Sequence, residues 1–112
     1  MMNLVNSNNV VGIGVENSAG EDLGQIEALM IDKISGQVAY VVLSFGGFLG
    51  LGDKLFALPW KVFSYDPVLE KFILNVDKEK LKNSPGFDKE NWPDMNADSF
   101  TQAIRSYYFE PL

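Results

Sequence analysis

Gly36-Gln-Val-Ala-Tyr-Val-Val-Leu-Ser-Phe45 runs into Gly46-Gly-Phe-Leu-Gly-Leu-Gly52 and then into Asp53-Lys-Leu-Phe-Ala-Leu-Pro-Trp60. The first segment, from Gln37 to Phe45, reads as a β-strand whose centre, Val38 to Leu43, is apolar on both faces. Such a strand must be covered on both sides, by a second layer, a helix or another subunit. The third segment reads as another strand, ending at Pro59, where a residue without an N–H suits the end of a ladder. Between them, four glycines are interleaved with Phe48, Leu49 and Leu51. A flexible linker is polar, because exposed apolar side chains gain nothing in water. This loop is therefore expected to lie against its own core or against a partner. That makes Phe45, Phe48, Leu49 and Leu51 candidate interaction residues.

Upstream, residues 1–9 are polar and Asn-rich and read as a frayed start. Val10–Ile13 reads as a first strand, and Glu16–Asp22 as a turn in which Gly20 takes a positive φ. Gly24–Asp32 alternates, placing Ile26, Ala28 and Met30 on one face and Gln25 and Glu27 on the other. Asp32–Gly36 supplies a hairpin turn. Downstream, Val62–Tyr65 is a short strand, Asp66-Pro67 opens a turn, and Lys71–Val76 is the last strand. Asp77–Lys82 reads as a short helix capped by Asp77 and stopped before Pro85. Residues 86–93 are irregular, anchored by Phe87 and Trp92.

Ser99–Tyr108 is expected to be a terminal helix. Ser99 and Gln102 would form its capping box, and Phe100, Ala103, Ile104 and Tyr107 would share a face. So short a helix is not stable alone and must dock. Tyr107 and Phe109 therefore join the candidate interaction residues. Six short strands joined by turns leave edges that a curled sheet would hide. The expected fold is mainly β: a small six-stranded, partly open β-barrel over 10–95, with short C-terminal helices. Residues 96–112 form a helical extension packing on the barrel or on a dimer partner.

A chain of 112 residues has room for one domain, and 46% hydrophobic residues are enough for a core. A domain this size buries about 65% of its unfolded surface, so burial by dimerisation would help it. Nine Lys and Arg against fifteen Asp and Glu give a net charge of −6, which opposes binding to a phosphate backbone. The N-terminus has neither a basic region nor a long apolar run, so it does not read as a signal peptide. No apolar run reaches the ~20 residues of a membrane span. A cytoplasmic protein without membrane insertion is the expectation.

The chain has no cysteine and no histidine. Thiolate chemistry, disulfides, the commonest general base and the usual zinc ligand are all absent. Gly47 and Gly52 have the glycine spacing of a phosphate-binding loop, but Asp53 stands at its lysine position and a strand follows where a helix should begin. Asp88, Glu90, Asp94 and Asp98 suggest calcium, yet Pro93 and Ser99 stand where an EF-hand needs glycine and glutamate. No cofactor, no metal and no enzymatic activity are expected.

Several blocks together point to one family: Gly20-Glu-Asp-Leu-Gly-Gln-Ile26, Met30-Ile-Asp32, Gly36 to Gly47, Gly52-Asp-Lys-Leu-Phe-Ala-Leu-Pro-Trp60 and Pro85-Gly-Phe87. Over about residues 8–95 the chain resembles the PRC-barrel domain, and within it the small free-standing bacterial members. The resemblance implies a six-stranded, partly open barrel that serves as an assembly and interaction module and carries over no catalytic residue. Relatives of this kind occur in the photosynthetic reaction centre, in its H subunit, and in a ribosome-maturation factor. Neither the membrane helix of the first nor the N-terminal domain of the second reads from these 112 residues, so neither role is expected to transfer.

The resulting expectation is a non-catalytic protein-interaction module whose partners are a second copy of itself and an unidentified protein. The alternative is a small-ligand binder at the barrel mouth or a dimer cleft, using Tyr40, Ser44 or Lys54.

Overall fold

The computed structural model describes residues 4–46 and 53–109. In chain order the elements are α1 (Ser7–Val10), β1 (Gly14–Glu16), β2 (Asp22–Ile31), β3 (Val38–Gly46) and β4 (Asp53–Pro59). A 3-10 turn (Trp60–Val62) leads into β5 (Phe63–Asp66) and β6 (Lys71–Leu74). The chain continues through α2 (Lys78–Lys82), β7 (Gly86–Phe87) and α3 (Asp98–Tyr108). The strands form one sheet in the order β5-β6-β1-β2-β3-β4-β7, antiparallel throughout except for the parallel pair β1–β6.

The sheet is strongly curled and not closed. Phe72 and Leu74 of β6 share one core cluster with Phe56 and Leu58 of β4, although three strands separate them in the sheet. In a flat sheet those strands would stand about 19 Å apart, at roughly 4.8 Å per strand. Curling brings them together around Leu23, Ile26, Val41, Leu43 and Phe45. Val10 at one end and Leu81 of α2 at another complete that interior. This is the expected partly open barrel, with one strand more than the sequence reading counts. The addition is β7, whose Phe87 pairs with Leu55 and whose Gly86 pairs with Phe56.

Irregularities in β2 produce much of the curl. Gly14 pairs with Gln25 and Glu16 with Asp22, so β2 holds an extra residue there. A second one falls between Ile26 and Ala28, which face the adjacent residues Leu43 and Val42. Bulges of this kind bend a strand and increase its twist. They also overturn the expected alternation. After the second bulge Ala28 and Met30 pair with Val42 and Tyr40, on the outer face, and Leu29 opposite Val41 takes the inner position.

The ends of elements differ from expectation in the same local way. Val10 closes a helical turn, with Asn6 Oδ1 accepting from Asn8 N, and the first strand begins only at Gly14. Asp77 occupies the N-cap of α2 but makes no side-chain capping bond. Ala97, not Ser99, caps α3; Ser99 lies within the helix, so the capping box with Gln102 is absent. The turns follow their sequences closely. The buried Asn17 accepts from Ala19 N and Glu21 N, each at 3.0 Å, and fixes the β1–β2 turn. Asp32 and Asp66 do the same for Ile34 N and Val68 N at 2.9 Å, forming turns in which the side chain stands in for backbone.

Gly24 shows how tightly the first bulge is built. Its φ is 92°, and a Cβ placed there would overlap the carbonyl oxygen of Ser44 on the neighbouring strand. That atom belongs to backbone held by the β2–β3 ladder, so it has little room to yield. Gly24→Ala combines left-handed strain with this overlap and is expected to lower unfolding free energy by about 3 kcal/mol. Urea denaturation of the two proteins measures it; Gly20→Ala, which meets nothing within 4 Å, should cost less.

Candidate interaction surface

β3 is buried on both sides, as its composition requires. Its inner residues Val41, Leu43 and Phe45 belong to the barrel core. Its outer residues pair with β4 so that Tyr40 meets Pro59, Val42 meets Ala57 and Ser44 meets Leu55. Val42, Ala57, Leu55 and Ser44 are all buried too. The chain's own C-terminal segment covers this outer face. Phe100 of α3 sets its ring against Tyr40 edge-on at 5.4 Å, and the Tyr40 hydroxyl donates to Thr101 Oγ1 at 3.3 Å. Ile104 of the same helix is buried, and Phe87 stacks at a tilt on Trp92 at 5.2 Å. Each fully covered Val or Leu contributes roughly 1.5–3 kcal/mol.

The far end of α3 is clamped to α2. The Tyr107 hydroxyl donates to the carbonyl of Lys80, whose ammonium lies 5.7 Å from the Tyr107 ring and 6.0 Å from that of Tyr108. Tyr108 packs on the barrel core. Its hydroxyl is buried without a hydrogen bond of normal geometry. Burial pushes this phenol up to about 12, against a smaller opposing effect of the neighbouring Ser84 hydroxyl.

Between α3 and the strand ends lies an open groove of about 940 Å³. Tyr40 and Pro59 form its floor, Trp60 and Phe109 stand along it, and Lys61 and Arg105 reach into it. Trp60 is 40% exposed and Phe109 49%. A second cavity of about 590 Å³ lies near the first bulge, lined by Gly24, Ser44, Phe45 and Lys78.

The expected interaction residues therefore divide. Phe45 is a core residue, 8% exposed, with the Lys78 ammonium 5.8 Å from its ring centre. Phe48, Leu49 and Leu51 lie outside the described residues. Tyr107 is half-buried in the α2–α3 clamp, and Phe109 stands exposed in the groove. The alternative ligand groups do not converge. Tyr40 lines the groove, Ser44 the second cavity, and Lys54 lies over the Phe56 ring at 5.8 Å. Trp60, Lys61 and Arg105, which also line the groove, are not among the residues that the sequence singles out. The signal available for them was three residues of binding chemistry with no periodic partner, and it becomes visible only when α3 is docked.

Among the described residues no three His, Cys, Asp or Glu are grouped to hold a metal ion, and no helix is long and apolar enough to cross a membrane. A family model for the PRC-barrel domain matches residues 2–81. That match ends within α2, so β7 and α3 lie beyond it. No curated protein matches the chain.

The buried phenol has a measurable signature. Unfolded, Tyr108 ionises near pH 10.0; folded, at about 12. Between those values the unfolded state has released a proton that the native state retains, so rising pH favours unfolding. Tyr108's contribution should be constant below pH 10.0 and fall above it, by up to about 1.4 kcal/mol per pH unit. Chemical denaturation at pH 9, 10 and 11 checks this, with Tyr108→Phe expected to show a shallower alkaline loss than wild type.

Proposed function

The chain belongs to the PRC-barrel family, and on that premise we propose that it is a non-catalytic protein-interaction module that assembles as a homodimer. PRC-barrel domains are generally non-catalytic and often mediate protein interactions. The observation that carries the reading is the surface left after the chain has covered its own barrel. α3 seals the outer face of β3 but leaves Trp60 and Phe109 exposed beside it. Large aromatics at the centre of a contact supply most of its binding energy. Phe48, Leu49 and Leu51, in the segment between β3 and β4, are the proposed contacts between copies, and Phe109, exposed in the groove, is the proposed contact for a further protein partner. Tyr107 supports that segment from within. A cytoplasmic location accompanies the proposal.

Light scattering with size-exclusion chromatography tests the dimer. Wild type is expected to elute at twice the 12.5 kDa chain mass. Phe48→Asp with Leu49→Asp should elute as a monomer, because a dimer contact cannot bury two unpaired carboxylates. A monomeric wild type, or a double variant that stays dimeric, removes the loop from the interface.

A further inference from the structure

We propose that the groove between α3 and the ends of β3 and β4 binds an acidic peptide segment of a partner protein, one carrying carboxylates beside an aliphatic or aromatic side chain. This deepens the reading of the chain as an interaction module and rests on it.

Charge is the first reason. Fifteen of the chain's residues are Asp or Glu, yet none of them is among the described residues lining the groove. Two cations, Lys61 and Arg105, are exposed there. Neither side chain has an ion pair or a ring partner among the described residues. Most other cations lean on something: Lys71 on Glu16, Lys82 on Glu79, and Lys54, Lys78 and Lys80 on aromatic rings. Arg105 is also the only arginine in the chain. Its planar guanidinium forks onto a carboxylate with two parallel hydrogen bonds, which an ammonium cannot do. Its place in the last turn of α3 suits the helix dipole and accounts for its charge. The dipole does not account for its standing across a groove from an exposed tryptophan.

Shape selects among anions. Pockets for small molecules enclose most of the ligand's surface. This groove is open along its length, so it suits an extended segment laid across Trp60 and Tyr40. Nucleic acid is a poor fit, because affinity for a phosphate backbone grows with the number of cations contacted, and a groove with two supplies little over a long polyanion. The α3 wall lies beyond the family match at 2–81, whereas the Gln37, Tyr40, Pro59, Trp60 and Lys61 side of the groove lies within it.

The test uses the whole chain, isotopically labelled for NMR, titrated with the peptide acetyl-Asp-Glu-Phe-Asp-Leu-Glu-amide. A control peptide has Asn and Gln in place of the acids. Expected are saturable shifts at the Trp60 indole and at backbone amides 37–40 and 101–105, with Kd about 0.1–1 mM and weaker binding as salt rises. The control peptide and the Lys61→Gln with Arg105→Gln variant should each weaken binding about fivefold. Arg105→Lys should weaken it less than Arg105→Gln, and Lys89→Gln should leave it unchanged. If the double variant melts early, the single Lys61→Gln variant carries the comparison. Equal binding of the control peptide overturns the proposal, as do shifts centred on Lys78–Lys82 or a titration without saturation. A chain that dimerises as proposed but ignores the acidic peptide overturns the groove assignment alone.

Discussion

The two-sided burial of β3 is the constraint on which the rest of the molecule depends. Val41, Leu43 and Phe45 need an interior, and Val42 beside buried Ser44 needs a lid. The first requirement curls the sheet until β6 and β4 share a core. The second brings the chain back across its own outer face after α2, through β7 and then α3. Neither layer suffices alone. A barrel without its C-terminal segment would expose Val42, Leu55 and Ala57 to water, and α3 without the barrel is too short to persist. The groove is a by-product of this arrangement, formed where a straight helix meets the ends of curled strands.

How much of this is legible in the sequence depends on how local the determining interaction is. The β3–β4 pair, the aspartate turns at Asp32 and Asp66 and the presence of a short C-terminal helix all follow from patterns within a few residues, and they match. The inner face of β2 does not, because a bulge is decided by the partner strand. Nothing in Gln25-Ile-Glu-Ala-Leu-Met30 says that Glu27 is the extra residue, so period-two reading carries the wrong residues inward after Ile26. β7 is invisible for a related reason: two residues next to Pro85 have no strand signal until Leu55 and Phe56 offer a ladder. The capping box is absent because the helix already begins at Asp98, after its N-cap Ala97, which leaves Ser99 inside it. On the surface, apolar side chains drew attention in the sequence while Lys61 and Arg105 did not. Their significance lies in which neighbours they lack, a property of three dimensions.

Cations serve two purposes in this acidic chain. Lys54, Lys78 and Lys80 lie over aromatic faces, covering rings at the edges of the core while keeping their ammonium groups wet. Lys80 also supplies the backbone carbonyl that holds Tyr107, so α2 and α3 are joined by packing and by a hydrogen bond at one residue. Such contacts depend less on salt than surface ion pairs do. Of those, the Glu16–Lys71 pair, at 3.4 Å and partly exposed, contributes about 0–1 kcal/mol.

That pair sits on the seam where β1 meets β6. β1 is three residues long, and it joins the β5–β6 hairpin to the remaining strands of the sheet. The meander β2–β3–β4 is built from neighbours in sequence, whereas Val15 and Phe72 come from distant parts of the chain. Closing that contact requires most of the domain to be in place, and loop-closure entropy makes it a late event in folding. The same topology sets the order of opening in the native protein. A short splice between a hairpin and a broad meander is where cooperativity is expected to be weakest, which makes β5 and β6 the expected unit of opening below global unfolding. Their amides would exchange with solvent before those of β3, which has a layer on either side.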